Sequence, residues 1–167
     1  QGLARSPLAE LVVVDVKPGN LQLAMRYGAT ETVQAGTAEG DARLAELKQR
    51  QFDLVIEATG AESVIQQAGS YVRTGGRLAI FAWHHVPRSV DMGLWHIRGI
   101  TVLNSAPGIG TDRSINSFER AVRLMDRGIF DQSRLITHRH SAAEVQNAME
   151  LAVERGPGYI KGVLLFE

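Results

Sequence analysis

The chain has 167 residues, enough for one domain with a substantial core or for one domain and part of another. Its 18 Lys and Arg residues balance its 18 Asp and Glu residues, so no basic excess favours nucleic acid or a membrane surface as a partner. No apolar run approaches the roughly 20 residues that cross a bilayer, and the absence of cysteine excludes disulfides and thiolate sites and is compatible with a cytoplasmic protein.

Apolar runs alternate with helical stretches through the first two thirds of the chain. The run "LVVVD" is short and β-branched, which is typical of a strand buried on both faces of a parallel sheet. Pro18 suits the start of the helix that follows, and Gly28 suits its end. This alternation predicts β-α-β units with right-handed crossovers. The predicted strands are 11–15, 31–34, 52–60, 75–83 and 100–105, and the predicted helices are 20–28, 39–50, 61–72 and 91–99.

The pattern changes after Pro107, where the helices become longer and more amphipathic. We place a boundary at about residues 106 to 110. The stretch 114–128 predicts a helix with Phe118, Val122 and Met125 on one face. The remaining predicted elements are a strand at 135–141, a helix at 142–156 and a strand at 159–167.

Asp15 is the sharpest single signal for function. A carboxylate at the carboxyl end of a parallel strand can accept hydrogen bonds from both ribose hydroxyls of adenosine and repels a 2′-phosphate, which favours NAD over NADP. Lys17 close by softens that preference. The alternative interpretation is that Asp15 only caps the helix that begins at Pro18. A Gly-rich phosphate loop about 20 positions before Asp15 would fall ahead of Gln1.

Glu57 and the histidines are the other candidates for chemistry. Glu57 stands in a mostly apolar strand, and a buried carboxylate needs partners, which the sequence does not identify. His84 and His85 follow the strand at 75–83, on the ligand-binding side of such folds, and one of them is a candidate for the substrate pocket or the nicotinamide side. His138 and His140 can share a strand face, but two imidazoles make an incomplete zinc site.

The order of the motifs carries a family resemblance. The stretches "LVVVDVKPGNLQLAMRYGATETV", "FDLVIEATG", "GGRLAIFAW", "RGITVLNS" and "YIKGVLLFE" follow one another as in the medium-chain dehydrogenase/reductase superfamily, and the chain resembles its zinc-dependent alcohol and polyol dehydrogenases. The resemblance implies an α/β fold, a Rossmann-like doubly wound parallel sheet that lacks its first strand in this chain. Residues 1–106 would be the nucleotide-binding domain, incomplete at its N-terminus, and 107–167 a segment returning to the catalytic domain.

The resemblance also implies a role for individual positions. Asp15 would bind the adenosine ribose, with Val16, Lys17 and Asn20 around it, although family members often have Lys or Arg where Asn20 stands. Lys161 would lie near the pyrophosphate. The remaining implied cofactor contacts are Ala58 and Thr59 beside the adenosine, and Phe81, Ala82, Trp83, Asn104, Ser105 and Ala106 beside the nicotinamide.

The implied activity is hydride transfer between an alcohol or polyol and a nicotinamide cofactor, NAD rather than NADP. The family's zinc ligands, proton relay and Gly-rich loop would lie in an N-terminal part absent from these 167 residues. We therefore expect no catalytic residue and no metal ligand here, and an inactive chain when it is alone. The strand at 100–105 commonly joins two copies in that family, which implies a homo-oligomer.

Two alternatives fit the same pattern of residues. An S-adenosylmethionine-dependent methyltransferase also has an acid at the end of its second strand, but usually finishes with an antiparallel hairpin. A non-catalytic nucleotide-binding fragment that assembles with a partner is the other alternative.

Overall fold

The computed structural model describes residues 1–105 and 117–166, so the predicted boundary at 106 to 110, the contact at Ala106 and the start of the helix predicted at 114–128 lie outside the described residues. The described strands are β1 Val12–Asp15, β2 Glu31–Gln34, β3 Phe52–Glu57, β4 Val72–Ile80, β5 Thr101–Asn104, β6 Ile136–Ser141 and β7 Lys161–Leu165. The helices are α1 Pro18–Arg26, α2 Ala38–Arg50, α3 Glu62–Ala68, α4 Met92–Ile97, α5 Ser117–Asp126 and α6 Val145–Glu154.

Every described strand pair is parallel, which confirms the predicted α/β class. The strands form hydrogen-bonded sheets in the orders β1-β2, β3-β4-β5 and β6-β7. Helices α1, α3, α4 and α6 each connect two paired strands. None of the helices in the described part of the chain is long and apolar enough to span a membrane.

The chain divides into two compact units. The first contains residues 1–35 and the described residues from 117 onward, with β1-β2 and β6-β7. Its two segments are joined by hydrogen bonds at Asp131, whose main-chain oxygen accepts from Gln1 Nε2 at 2.6 Å and from Tyr27 Oη at 3.1 Å. In the turn after α1, Gly28 has a φ of +98°, a conformation that strongly favours glycine.

The second unit begins at residue 36 and contains β3-β4-β5 with helices α2, α3 and α4. Its core is a cluster formed by Ile65, Ala68, Val72, Leu78 and Trp95. The central strand β4 supplies Val72 and Leu78, which are both 0% exposed.

The expectation that the first apolar strand is buried on both faces is wrong in the described structure. Val14 in β1 is 42% exposed, and in β3 the side chains of Leu54 and Ile56 are 39% and 38% exposed. Each of these strands has a single hydrogen-bonded neighbour among the described strands, whereas β4 has two. An apolar, β-branched run therefore identifies a strand correctly without fixing how completely its faces are covered.

Gly69 provides a test of the core. A Cβ at this position would lie 2.2 Å from Trp95 Nε1 and 2.5 Å from Trp95 Cδ1. Because Trp95 is buried, we expect Gly69→Ala to destabilise the chain by about 1–3 kcal/mol through overpacking, measured by urea unfolding. The matched control is Gly19→Ala in α1, where no atom lies within 4 Å of an added Cβ, and its stability should be unchanged or slightly higher. Equal stability of the two variants would contradict this packing.

Candidate functional site

The carboxyl ends of β3, β4 and β5 meet at one edge of the second unit because the three strands are parallel. The chain after β4 is held to β3 by two main-chain bonds, since Phe81 N and Ala82 N donate to Glu57 O at 2.8 and 3.1 Å. The chain after β5 is held to β4 by a bond from Ser105 N to Ile80 O at 2.9 Å. The structure thus gathers the predicted contacts of this unit at one sheet edge: Ala58, Thr59, Phe81, Ala82, Trp83, Asn104 and Ser105.

The Glu57 carboxylate organises this edge. The residue is 1% exposed. Its Oε1 accepts from Thr59 N at 2.7 Å, from Thr59 Oγ1 at 2.6 Å and from Gly60 N at 2.9 Å. Its Oε2 lies 2.8 Å from His84 Nε2. Both oxygens of a buried carboxylate are therefore satisfied, which is the condition for keeping a charge in the interior.

These contacts also set the protonation of Glu57. Burial raises the pKa of the carboxyl group, but the hydrogen bonds from Thr59, His84 and Gly60 together outweigh burial and hold the pKa below its usual value of 4.5. Glu57 is accordingly ionised at neutral pH and can only accept. The hydrogen bond to His84 then requires a proton on Nε2, so the imidazole donates.

The turn after β3 packs closely on the segment after β4. Gly60 has a φ of +73°, and a Cβ there would lie 3.3 Å from Trp83 O. Arg88 fixes the same turn from outside, because its Nη2 donates to Gly60 O at 3.1 Å. Two large aromatic side chains project from the segment after β4 into solvent, Phe81 at 65% and Trp83 at 73% exposure. Two large exposed aromatic side chains on one short segment are typical of a ligand or protein contact surface.

Asp15 occupies the corresponding place in the first unit, at the carboxyl end of β1. Its Oδ1 accepts from Lys17 N at 2.8 Å and its Oδ2 accepts from Asn20 Nδ2 at 2.9 Å. The bond to Lys17 closes an Asx turn. The interpretation of Asp15 as the helix cap is wrong in detail, because the N-cap residue of α1 is Lys17, whose side chain makes no capping hydrogen bond.

The other predicted contacts of the first unit are spread more widely. Val16 is 65% exposed, next to Asp15. The ammonium of Lys17 donates to the main-chain oxygen of Arg155 at 3.2 Å, after α6. Lys161 is exposed at the start of β7, where it pairs in register with Ile136 of β6. The structure therefore joins Asp15, Lys17 and Asn20 in one hydrogen-bonded turn, while Lys161 belongs to a different sheet of the same unit.

The histidines of β6 share a face, as predicted. The ring centroids of His138 and His140 lie 6.3 Å apart, with an interplanar angle of 9°. The ring centroid of Tyr159 lies 4.8 Å from that of His138. Within residues 1–105 and 117–166, no group of three or more His, Asp or Glu side chains is arranged to hold a metal ion. The described residues therefore do not fit a zinc centre.

Sequence reasoning missed the pairing of Glu57 with His84. It singled out both residues but left each without a partner, because 27 positions separate them and the contact depends on the register of β3 and β4. The sequence did contain a signal for the other partners of Glu57. A threonine two residues after this glutamate and a glycine three residues after it can both donate hydrogen bonds to a buried carboxylate.

The family of the chain follows from comparison with known proteins. The model of the family described as zinc-binding dehydrogenase matches residues 2–127, about three quarters of the chain. The chain belongs to the zinc-binding dehydrogenase family. This confirms the resemblance seen in the sequence and favours the dehydrogenase interpretation over a methyltransferase.

Similarity to individual curated dehydrogenases supports the assignment. Sorbitol dehydrogenase of Bacillus subtilis (strain 168) is 29% identical over 151 residues, covering 86% of this chain and 40% of that protein. L-threonine 3-dehydrogenase of Pectobacterium atrosepticum is 28% identical over 84% of this chain and 38% of that protein. The chain thus spans about two fifths of the length of these curated relatives.

A solved structure supports the fold. A protein of Escherichia coli CFT073 described as a short chain alcohol dehydrogenase, solved in complex with the cofactor NADH, superimposes with a TM-score of 0.79 at 20% identity over 95% of this chain and 45% of that one. At this identity the likeness concerns the fold alone. It confirms the Rossmann-type α/β architecture expected for a zinc-binding dehydrogenase.

The lowered pKa of Glu57 generates a prediction about acid stability. The folded state binds the Glu57 proton less readily than the unfolded state does. The stabilisation that the ionised Glu57 carboxylate gives to the folded state is therefore fully present above pH 4.5, and it is lost as pH falls through the lower, folded-state pKa. We expect Glu57→Gln to cost about 1–3 kcal/mol of unfolding free energy at pH 7, and the gap from the unaltered chain to narrow below about pH 4.5, measured by urea unfolding at a series of pH values.

The control is Glu154→Gln, which changes an exposed carboxylate at the end of α6. Its effect at pH 7 should be within about 0.5 kcal/mol. A constant gap between the Glu57→Gln variant and the unaltered chain from pH 7 to pH 3 would contradict the ionised state of Glu57.

Proposed function

We propose that these 167 residues are the NAD(H)-binding portion of a zinc-type alcohol or polyol dehydrogenase. In such an enzyme hydride passes between an alcohol and the nicotinamide cofactor, which supplies the hydride-accepting ring when it is bound. One observation carries the proposal: a half-buried carboxylate, Asp15, is held in a fixed orientation at the carboxyl end of a parallel strand. The family match of residues 2–127 supports it.

The orientation of Asp15 suits an adenosine ribose. A carboxylate has about four lone-pair sites, and two are used by Lys17 N–H and the Asn20 amide, which leaves acceptors for two hydroxyls. Asn20 therefore contributes by holding the Asp15 carboxylate in place. Family members with Lys or Arg at this position have a positive charge there instead. Because the Lys17 ammonium is engaged by the Arg155 carbonyl, the negative charge of Asp15 dominates and favours NAD over NADP.

The remaining contacts are proposed from the family resemblance. We assign residues 1–106 to nucleotide binding and residues 107–167 to a segment that returns to the catalytic domain. Lys161 would supply a point charge to the pyrophosphate. Val16, Ala58 and Thr59 would lie beside the adenosine, and the nicotinamide wall would comprise Phe81, Ala82, Trp83, Asn104, Ser105 and Ala106.

Chemistry at the reacting carbon is not assigned to any residue described here. Among the described residues, no group of three or more His, Asp or Glu side chains is arranged to hold zinc. We propose that the zinc and the proton relay of the whole enzyme are held outside these 167 residues, and that the chain by itself binds the cofactor without turning over an alcohol. Non-catalytic nucleotide binding is thus the second candidate function.

The substrate class and the assembly follow the same reasoning. Two of the relatives are named for sorbitol and L-threonine, which both carry hydroxyl groups, and this supports a small alcohol or polyol as the substrate of the whole protein. Strand β5 has one hydrogen-bonded neighbour among the described strands, and its Leu103 is 45% exposed. Pairing of β5 with a second copy would cover that edge, so we propose a homo-oligomer through residues 100–105.

Substitution of Asp15 tests the adenosine contact. We expect Asp15→Asn to weaken NADH binding about 10-fold, because neutral acceptors make weaker hydrogen bonds than a carboxylate, and to narrow the preference for NADH over NADPH. Both affinities are measured by fluorescence titration of the chain with NADH and NADPH.

The matched control is Asp53→Asn, which removes a carboxylate that pairs with Arg73 on the surface of the other unit and should leave both affinities unchanged. An Asp15→Asn variant that binds NADH like the unaltered chain would contradict the proposed contact. Binding of S-adenosylmethionine instead of NADH would contradict the proposed NAD(H)-binding function.

A further inference from the structure

The segment after β4 is anchored at two points. The first anchor is the pair of main-chain bonds from Phe81 N and Ala82 N to Glu57 O. Phe81 and Trp83 themselves contribute little burial, since they are 65% and 73% exposed. The backbone of this segment also lies against Gly60, and the residue that follows Trp83 adds a second polar attachment.

His84 is that second anchor. Its side chain is 16% exposed, whereas its neighbours Trp83 and His85 are both exposed. The imidazole turns inward and donates from Nε2 to Glu57 Oε2 at 2.8 Å. The same glutamate thus holds the segment through its main-chain oxygen at one end and through its carboxylate at the other.

The atoms that form the hydrogen bond between His84 and Glu57 are determined by the other partners of each side chain. Glu57 Oε1 already accepts from Thr59 and Gly60, so Oε2 is the oxygen left for His84. The other ring nitrogen, His84 Nδ1, is buried and has no hydrogen-bond partner among the residues that the structure describes. The Nε2–H bond is therefore the polar interaction that fixes the ring.

We propose that His84 is a positioning residue, whose Nε2–H bond to Glu57 holds the backbone of Phe81–Trp83 in the conformation that receives the nicotinamide ring. This inference rests on the proposed function. His84 touches neither the cofactor nor the alcohol in this role and acts through the segment that it anchors. It is distinct from Asp15, whose proposed contact lies at the adenosine end of the cofactor.

Two substitutions at His84 distinguish loss of the hydrogen bond to Glu57 from loss of side-chain volume. A glutamine places an amide nitrogen near the position of Nε2 and can still donate to Glu57, whereas the shorter asparagine places it near the position of Nδ1 and cannot reach. We expect His84→Asn to weaken NADH binding about 10-fold and His84→Gln to bind within about 2-fold of the unaltered chain. The exposed His96 on α4 provides the control His96→Asn, which should not change NADH binding.

ADP-ribose, which lacks the nicotinamide, distinguishes positioning from loss of structure. We expect His84→Asn to bind ADP-ribose like the unaltered chain in competition titrations, while Asp15→Asn weakens both ligands. In the free protein, amide hydrogen exchange at Phe81 and Ala82 should be faster in His84→Asn than in His84→Gln.

The outcomes are separable. If the unaltered chain binds neither NADH nor ADP-ribose, the proposed function fails, and the nicotinamide role of His84 fails with it. If the unaltered chain binds NADH and His84→Asn binds it equally well, the positioning role alone is overturned. Equal loss of NADH and ADP-ribose in His84→Asn would also overturn it, because that result signals general destabilisation.

Discussion

The described sheet edge depends on one buried carboxylate. Glu57 ends β3, and its oxygens accept hydrogen bonds from the turn at Thr59–Gly60 and from His84, while its main-chain oxygen accepts from the segment after β4. A charge at 1% exposure is tolerated only because every one of these donors is in place. The ends of two neighbouring strands are thereby fixed relative to each other, and the exposed aromatics between them are presented on a defined backbone.

The two units use acids in different ways. Glu57 is fully enclosed by donors of its own chain, so it organises structure. Asp15 is partly exposed and has only two bonds to its own turn, so acceptor capacity remains for a ligand. Two acids, each at the carboxyl end of a parallel strand, therefore differ in how many donors the following residues supply, and Asp15 keeps acceptor capacity for the ribose contact that we propose.

Much of this arrangement was predictable from the sequence. The alternation of apolar and helical stretches predicted the parallel strands, because hydrophobic period and turn residues are local properties. The ligand-binding importance of Asp15 could be proposed for the same reason, since it directly follows its strand. The pairing of Glu57 with His84 could not be predicted, because a contact between residues 27 positions apart depends on strand register. The exposure of Val14 in β1 was also unpredictable, because covering of a strand face depends on elements distant in sequence.

The most direct measurement of the central claim is a crystal structure of the chain with NADH. The account predicts that the adenosine ribose hydroxyls donate to the Asp15 carboxylate and that the nicotinamide ring lies against the backbone of Phe81–Trp83. An Asp15 side chain turned away from the nucleotide, or a nicotinamide ring far from that segment, would contradict it.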